Sequence, residues 1–120
     1  MKVIIADDSK VMRNIIHNAM RPMGTEVIHA GSGQEVFEQL EIHGGKIDAI
    51  FMDWNMPGMT GLDCLKLLKK NKNYKDIPVL IISTESEDDK VNLAMEAGAK
   101  GYLTKPFTNE ELIKFINNSI

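Results

Sequence analysis

Cysteine is almost missing from this chain. Cys64 stands alone, so no internal disulfide can form, and no Cys-x-x-Cys or Cys/His spacing supports a zinc site. It reads as a small core or helix residue. An excess of basic charge is missing too. Fourteen Lys and Arg against 17 Asp and Glu give a net charge of −3 and a pI near 5.6, which argues against a protein that grips nucleic acid electrostatically. Long apolar runs are absent: stretches such as 49–52 and 79–82 fall far short of the roughly 20 residues that span a bilayer. The amino-terminal run meets Asp7 before reaching the ~7 apolar residues at which a signal-peptide core begins. No membrane segment is expected, and the expected location is cytoplasmic. Repeats, linkers and low-complexity tracts are also lacking. With 120 residues, below the ~150 of a typical domain, the expectation is one domain spanning 1–120.

What is present is an alternation. Apolar, β-branched runs at 3–5, 26–28, 49–52, 79–82 and 102–103 predict five strands, and their near-continuous apolar character suits a parallel sheet covered on both faces. Between them the period changes to that of a helix. From Ser9, residues Val11, Met12, Ile15, Ile16, Ala19 and Met20 share one stripe, and Pro22 with Gly24 mark the exit. Ser32 with Glu35, and Thr108 with Glu111, have capping-box spacing and predict helix starts. Leu62, Leu65 and Leu68 give a third helix. Val91, Ala94 and Met95 give a fourth, ending at a Gly98 cap, and Leu112, Ile113 and Ile116 give a fifth. Five strands alternating with five helices predict an α/β fold: a doubly wound, flavodoxin-like parallel sheet in the order 2-1-3-4-5.

In such sheets ligands bind beyond the carboxyl ends of the strands, where the strand order reverses. Strand one is followed by Asp7 and Asp8, strand three by Asp53 and Asn55, strand four by Ser83 and Thr84, and strand five by Lys105 and Pro106. Strand two offers only His29, Ala30 and Gly31. The order 2-1-3-4-5 places strand two at an edge and converges the other loops on one pocket. Asp after a strand is common in turns and caps, so each acid alone means little. Three carboxylates in one pocket repel one another, and such a group is tolerated when protons or a cation are taken up. An all-oxygen set without His or Cys favours Mg²⁺, with Mn²⁺ as a substitute, and Mg²⁺ keeps waters that a phosphate can replace.

The strings Asp7-Asp8, Asp53-Trp54-Asn55-Met56-Pro57-Gly58, Ser83-Thr84-Glu85 and Lys105-Pro106-Phe107 resemble the signature positions of two-component receiver domains. The likeness spans the whole chain. With Tyr102 three residues before Lys105, it resembles the stand-alone, CheY-like chemotaxis branch of that family. Ser83 lies 30 residues after Asp53 and 22 before Lys105, a spacing that selects Ser83 over Thr84 as the switch hydroxyl. The resemblance implies that Asp53 is the phosphoacceptor and that Asp8 ligates the metal directly. Asp7 would ligate through water, and Asn55 through its backbone carbonyl. Lys105 would stabilise the transferring oxygens, and a cis Lys105–Pro106 bond is the family habit. Elementary chemistry agrees, since a carboxylate can attack phosphorus when positioned beside cationic charge, without a general base.

The same resemblance implies a histidine kinase as phosphodonor, with acetyl phosphate as a possible small donor. Ser83 would then move toward the phosphoryl group while Tyr102 turns inward, remodelling the face formed by helix four, strand five and helix five. The implied reader is the flagellar motor switch, with a phosphatase as a further possible partner. Asn55 and Glu85 would flank the path of the hydrolytic water and make self-dephosphorylation fast. The protein would act as a monomer and as a signalling protein, not an enzyme, apart from catalysing its own phosphorylation and dephosphorylation.

Other readings of the same residues remain in view: a phosphorelay intermediate, an adaptor receiver, and an aspartyl phosphohydrolase. The hydrolase expects a second Asp where Asn55 stands, and Asp7-Asp8 would repel the phosphate of a flavin carrier. A DNA-binding regulator would need further chain after Ile120. Trp54 is expected beside the metal site as a natural fluorescence reporter, and the methionines, Met56 and Met59 included, as core filling. Lys66, Lys69, Lys70, Lys72 and Lys75 read as a solvated face. Glu85, Glu87, Asp88 and Asp89 suit the positive end of helix four. His17, His29 and His43 read as scattered boundary residues, and Arg13 as a possible partner contact.

Overall fold

The computed structural model describes residues 1–119. Five strands, β1 (Lys2–Ala6), β2 (Glu26–Ala30), β3 (Ala49–Met52), β4 (Val79–Ser83) and β5 (Gly101–Thr104), alternate with five α-helices. These are α1 (Lys10–Met20), α2 (Gly33–Ile42), α3 (Gly61–Lys70), α4 (Asp88–Glu96) and α5 (Asn109–Ser119). The strands form one parallel sheet in the order β2-β1-β3-β4-β5, as the apolar runs require.

The period-two geometry of a strand sends alternate side chains to opposite faces, and the three inner strands use both. Ile4, Ala6, Ile50, Met52, Val79 and Ile81 join the core shared with α2, α3 and α4. Val3, Ile5, Ala49, Phe51, Leu80 and Ile82 join the core shared with α1 and α5. This is why the inner strands read as unbroken apolar runs. The edge strands β2 and β5 are mostly half-buried, and their sequence signal is correspondingly weaker.

Helix ends follow their local chemistry. Thr108 and Glu111 form a reciprocal capping box, each backbone N–H donating to the other's side chain at 3.0 Å. At α2 only half of the expected box exists: the Glu35 N–H donates to Ser32 Oγ at 3.2 Å, and Glu35 Oε2 lies 3.5 Å from that hydroxyl instead of on the cap N–H. Thr60 caps α3 in the same way through the Asp63 N–H. After α4, Gly98 adopts φ 107°, and the Ala99 N–H returns to the Ala94 carbonyl, the glycine-terminated ending its position predicts. Asp88 and Asp89 occupy the first turn of α4.

Trp54, which directly follows Asp53, is buried in the core. Two expectations need correcting. Lys69 does not belong to a solvated face, because its Nζ donates to the Lys75 and Ile77 carbonyls at 3.1 and 3.0 Å and so ties down the loop before β4. His17 and His29 are boundary residues but not scattered: their rings meet, with Nδ1 of His17 3.0 Å from Nε2 of His29. Cys64 is buried in α3, where desolvation pushes its thiol up to about 12, so it is an inert core residue.

Candidate functional site

Sheet register brings the site together. Ala6 pairs with Met52, Met52 with Ile81, and Ser83 with Thr104, so the inner strands and β5 end nearly level. One step beyond, the Asp7 N–H donates to the Ala30 carbonyl, the Asp53 N–H to Ala6, and the Lys105 N–H to Ser83. Each functional residue is therefore anchored to a neighbouring strand by its own backbone.

Asp7, Asp8 and Asp53 each offer a carboxylate oxygen within 4.8 Å of the others. Asp7 and Asp53 are buried, at 2% and 7% exposure, while Asp8 faces outward. Lys105 Nζ donates to Asp7 Oδ2 at 2.8 Å and to Asp53 Oδ2 at 3.3 Å. The Lys105–Pro106 peptide is cis. The Ser9 N–H holds Asp7 Oδ1 at 2.9 Å and the Asn55 N–H holds Asp53 Oδ1 at 3.2 Å. Burial raises the Asp53 carboxyl above its ordinary value; Lys105 opposes this, the Asp7 charge adds to it, and the Asn55 N–H and Ser83 hydroxyl pull it back. One lysine does not neutralise three acids, and the remaining donors are all oxygen. That set fits a hard divalent cation.

Ser83 is fully buried at the end of β4, whereas Thr84 is exposed. The Ser83 Oγ accepts the Glu85 N–H at 3.2 Å. Tyr102 is half-buried against the core under α4, and its hydroxyl donates to the Glu85 carbonyl. Burial raises the Tyr102 phenol, the Ser83 hydroxyl opposes this, and the Glu85 and Asp53 charges add to it. At the mouth of the site Asn55 Nδ2 donates to Glu85 Oε1 at 3.4 Å.

Two residues around the site, Lys90 and Gly61, escaped the sequence reading, and a third, Arg13, makes a contact that the sequence does not reveal. Lys90 donates to Glu85 Oε2 at 2.8 Å and so holds the carboxylate that Asn55 also touches. Arg13 donates to the backbone carbonyl of Asp7, which ties α1 to the loop after β1. Gly61 lies beneath the loop after β3: its N–H donates to the Trp54 carbonyl at 2.7 Å, and a Cβ there would collide with the Asp53 carbonyl oxygen. The only sequence signal for it was a glycine at the start of a capped helix. Gly61→Ala should therefore displace the backbone carrying Asp53 and destabilise the fold by about 3 kcal/mol, the upper end of typical overpacking costs. Thermal unfolding should show a fall of roughly 10 °C; an unchanged midpoint would contradict the close approach.

Residues 3–117 match the family described as the response regulator receiver domain. The chain belongs to that family. It is similar to the chemotaxis protein CheY of Pseudomonas aeruginosa, with 41% identity over 113 residues that cover 93% of this chain and 90% of that protein. It is likewise similar to CheY1 of Helicobacter pylori, at 39% identity with the same coverage. Among solved structures, Vibrio cholerae CheY4 superposes with a TM-score of 0.88 at 33% identity, covering 99% of this chain and 98% of that one. The protein is thus a CheY-like response regulator receiver, a signalling protein whose acidic cluster lies where the receiver fold gathers its loops. No helix among the described residues is long and apolar enough to cross a membrane.

Proposed function

We propose that this receiver takes a phosphoryl group onto Asp53 and signals by a phosphorylation-dependent change of surface in chemotaxis. The observation that carries this reading is the convergence of Asp7, Asp8 and Asp53 within 4.8 Å, with Lys105 bridging two of them. An Oδ atom of Asp53 attacks phosphorus, the bond from phosphorus to the donor's imidazole nitrogen breaks, and the leaving imidazole takes up a proton. Lys105 stabilises charge on the transferring oxygens, and the Asn55 N–H orients the nucleophile. Asp8, Asp7, Asp53 and the Asn55 carbonyl would hold Mg²⁺ or Mn²⁺, which supplies further positive charge to the phosphoryl oxygens when bound.

The acyl phosphate adds roughly two negative charges and three acceptor oxygens. Ser83 and Lys105 are the chain's own groups able to bind them, and a shift of Ser83 acts on Tyr102 and the Glu85 backbone that Tyr102 holds. Phosphate then biases two pre-existing arrangements of the α4–β5–α5 face, where Leu93 and Met95 are exposed. The partners in this reading are a histidine kinase as donor and the flagellar motor switch as reader, with a phosphatase as a third. Asn55 and Glu85 flank the phosphoryl group and set a short phosphoryl lifetime. The chemotaxis assignment rests on the names of the similar proteins, and one receiver domain spanning the chain, acting as a cytoplasmic monomer, completes the reading.

Incubation with a small phosphodonor such as acetyl phosphate should label the protein only when Mg²⁺ is present, and chelation should abolish incorporation. Because Trp54 adjoins Asp53, Mg²⁺ titration should also quench its fluorescence saturably. Metal-independent labelling, or fluorescence indifferent to Mg²⁺, would contradict the proposal.

A further inference from the structure

Arg13 makes two contacts from one guanidinium. One nitrogen donates to the Asp7 carbonyl, and Nε donates to Nδ1 of His29 on β2 at 3.2 Å. The second contact determines where the hydrogens sit. Since His29 Nδ1 accepts, its ring hydrogen lies on Nε2 and is donated to His17 Nδ1, 3.0 Å away. His17 then carries its hydrogen on Nε2. Both rings are neutral in this chain of bonds, and every nitrogen facing another group has one defined role.

A further proton breaks the pattern. On His29 Nδ1 it would face the Arg13 N–H, and any arrangement that keeps a protonated pair bonded ring to ring puts hydrogen on that same atom. The charges facing His29 have one dominant sign. Lys10, Arg13 and His17 face it from α1, β1 presents the uncharged Ile5 opposite it, and from α2 the Glu35 carboxylate approaches Gly31 beside Arg13. Burial, followed by His17, Arg13 and Lys10, lowers the His29 ring below its ordinary value.

We propose that Arg13 is a positioning residue for the Asp7–Asp8 loop, seated by the neutral His29 ring, and that a proton on His29 Nδ1 unseats it. The proposal rests on the metal reading above for its consequence but not for its geometry. Acidification would loosen the acidic loop and weaken cation binding, coupling receiver competence to pH through residues outside the site itself.

Calorimetric Mg²⁺ titrations should separate this latch from simple charge effects. Arg13→Lys keeps the charge but loses the fork, and His29→Leu removes the acceptor without adding charge. Each should weaken binding about tenfold at pH 8, as loss of an outer-shell partner does. His29→Gln retains a non-titrating acceptor and should match the wild type at pH 8. It should also bind several-fold more tightly than the wild type near pH 5.5. Wild-type affinity in Arg13→Lys and His29→Leu, or a pH-independent ratio between wild type and His29→Gln, would overturn the proposal.

Metal-free NMR decides it independently. At pH 8 both rings should carry their hydrogen on Nε2, and the Asp8 and Ser9 amides should shift as His29 titrates in the wild type but not in His29→Gln. Hydrogen on His29 Nδ1, or loop amides indifferent to the titration, refutes the latch. A wild-type protein that binds no Mg²⁺ refutes the metal reading and leaves this arm as the judge.

Discussion

Asp53→Asn should reduce phosphoryl incorporation to background. The side chain keeps its size and one carbonyl oxygen, so the Asn55 N–H that donates at 3.2 Å still finds an acceptor. What is lost is the anionic nucleophile, and a neutral amide does not attack phosphorus at a useful rate. Binding need not fail with it, because Asp7, Asp8 and Lys105 are untouched. The expected result is loss of at least about three orders of magnitude in labelling rate, as for removal of a nucleophile. Weaker Mg²⁺ binding should accompany it, with an unchanged fold by circular dichroism. Label retained on the variant at the wild-type level would break the assignment of Asp53 and would direct attention to Asp8 as the alternative acceptor.

The same variant has a stability signature whose sign follows from burial. Burial, with the Asp7 charge adding to it, holds the Asp53 carboxyl above its unfolded value despite Lys105. Ionising it in the folded state therefore costs more than in the unfolded chain. Between the unfolded and folded values the unfolded state binds fewer protons, so this group's contribution to stability falls as pH rises, and above the folded value the penalty is fully present. In chelator at neutral pH, Asp53→Asn should be more stable than the wild type. The advantage should vanish as pH falls below the ordinary aspartate range, where both side chains are uncharged. A wild type more stable than the variant at neutral pH, with its advantage lost on acidification, would mean that Lys105 outweighs burial.

How much of this was legible beforehand depends on the kind of signal. β1, β3 and β4 carry apolar residues toward both cores, and an unbroken apolar run records that directly. The carboxylates were legible for a related reason: Asp7, Asp8 and Asp53 directly follow strands, and topology alone brings such positions together in a doubly wound sheet. The His17–His29 contact was not legible. It depends on a helix and an edge strand meeting at one rotation, and no spacing along the chain encodes that rotation. Lys69 misled for a similar reason, since a lysine among lysines reads as solvated until the Lys75 and Ile77 carbonyls come within reach of its Nζ. Lys90 escaped because a link of five residues joins a loop to a helix, outside the three- and four-residue spacings by which helical pairs are recognised.

Lys105 is where the electrostatics of the site can be tested from both directions at once. It bridges two buried carboxylates from β5, a strand that borders neither β1 nor β3. Lys105→Met preserves much of the stem and removes the charge, leaving Asp7 and Asp53 facing each other without a cation. In chelator this should cost about 3 kcal/mol, the low end for breaking a buried pair, readable by urea unfolding. Mg²⁺ should bind the variant more tightly than the wild type, because the ion no longer competes with an ammonium for the same oxygens. By binding only the folded state, it should restore part of the lost stability. Phosphoryl transfer should nevertheless slow by about a hundredfold or more, the usual effect of losing one preorganised donor to transferring oxygens. Tighter metal binding together with slower chemistry is the expected signature, since Lys105 opposes the ground-state cation and assists the transition state. If both fell together, Lys105 would be only a structural strut; if the rate held, the oxygens of the transferring group would not reach it.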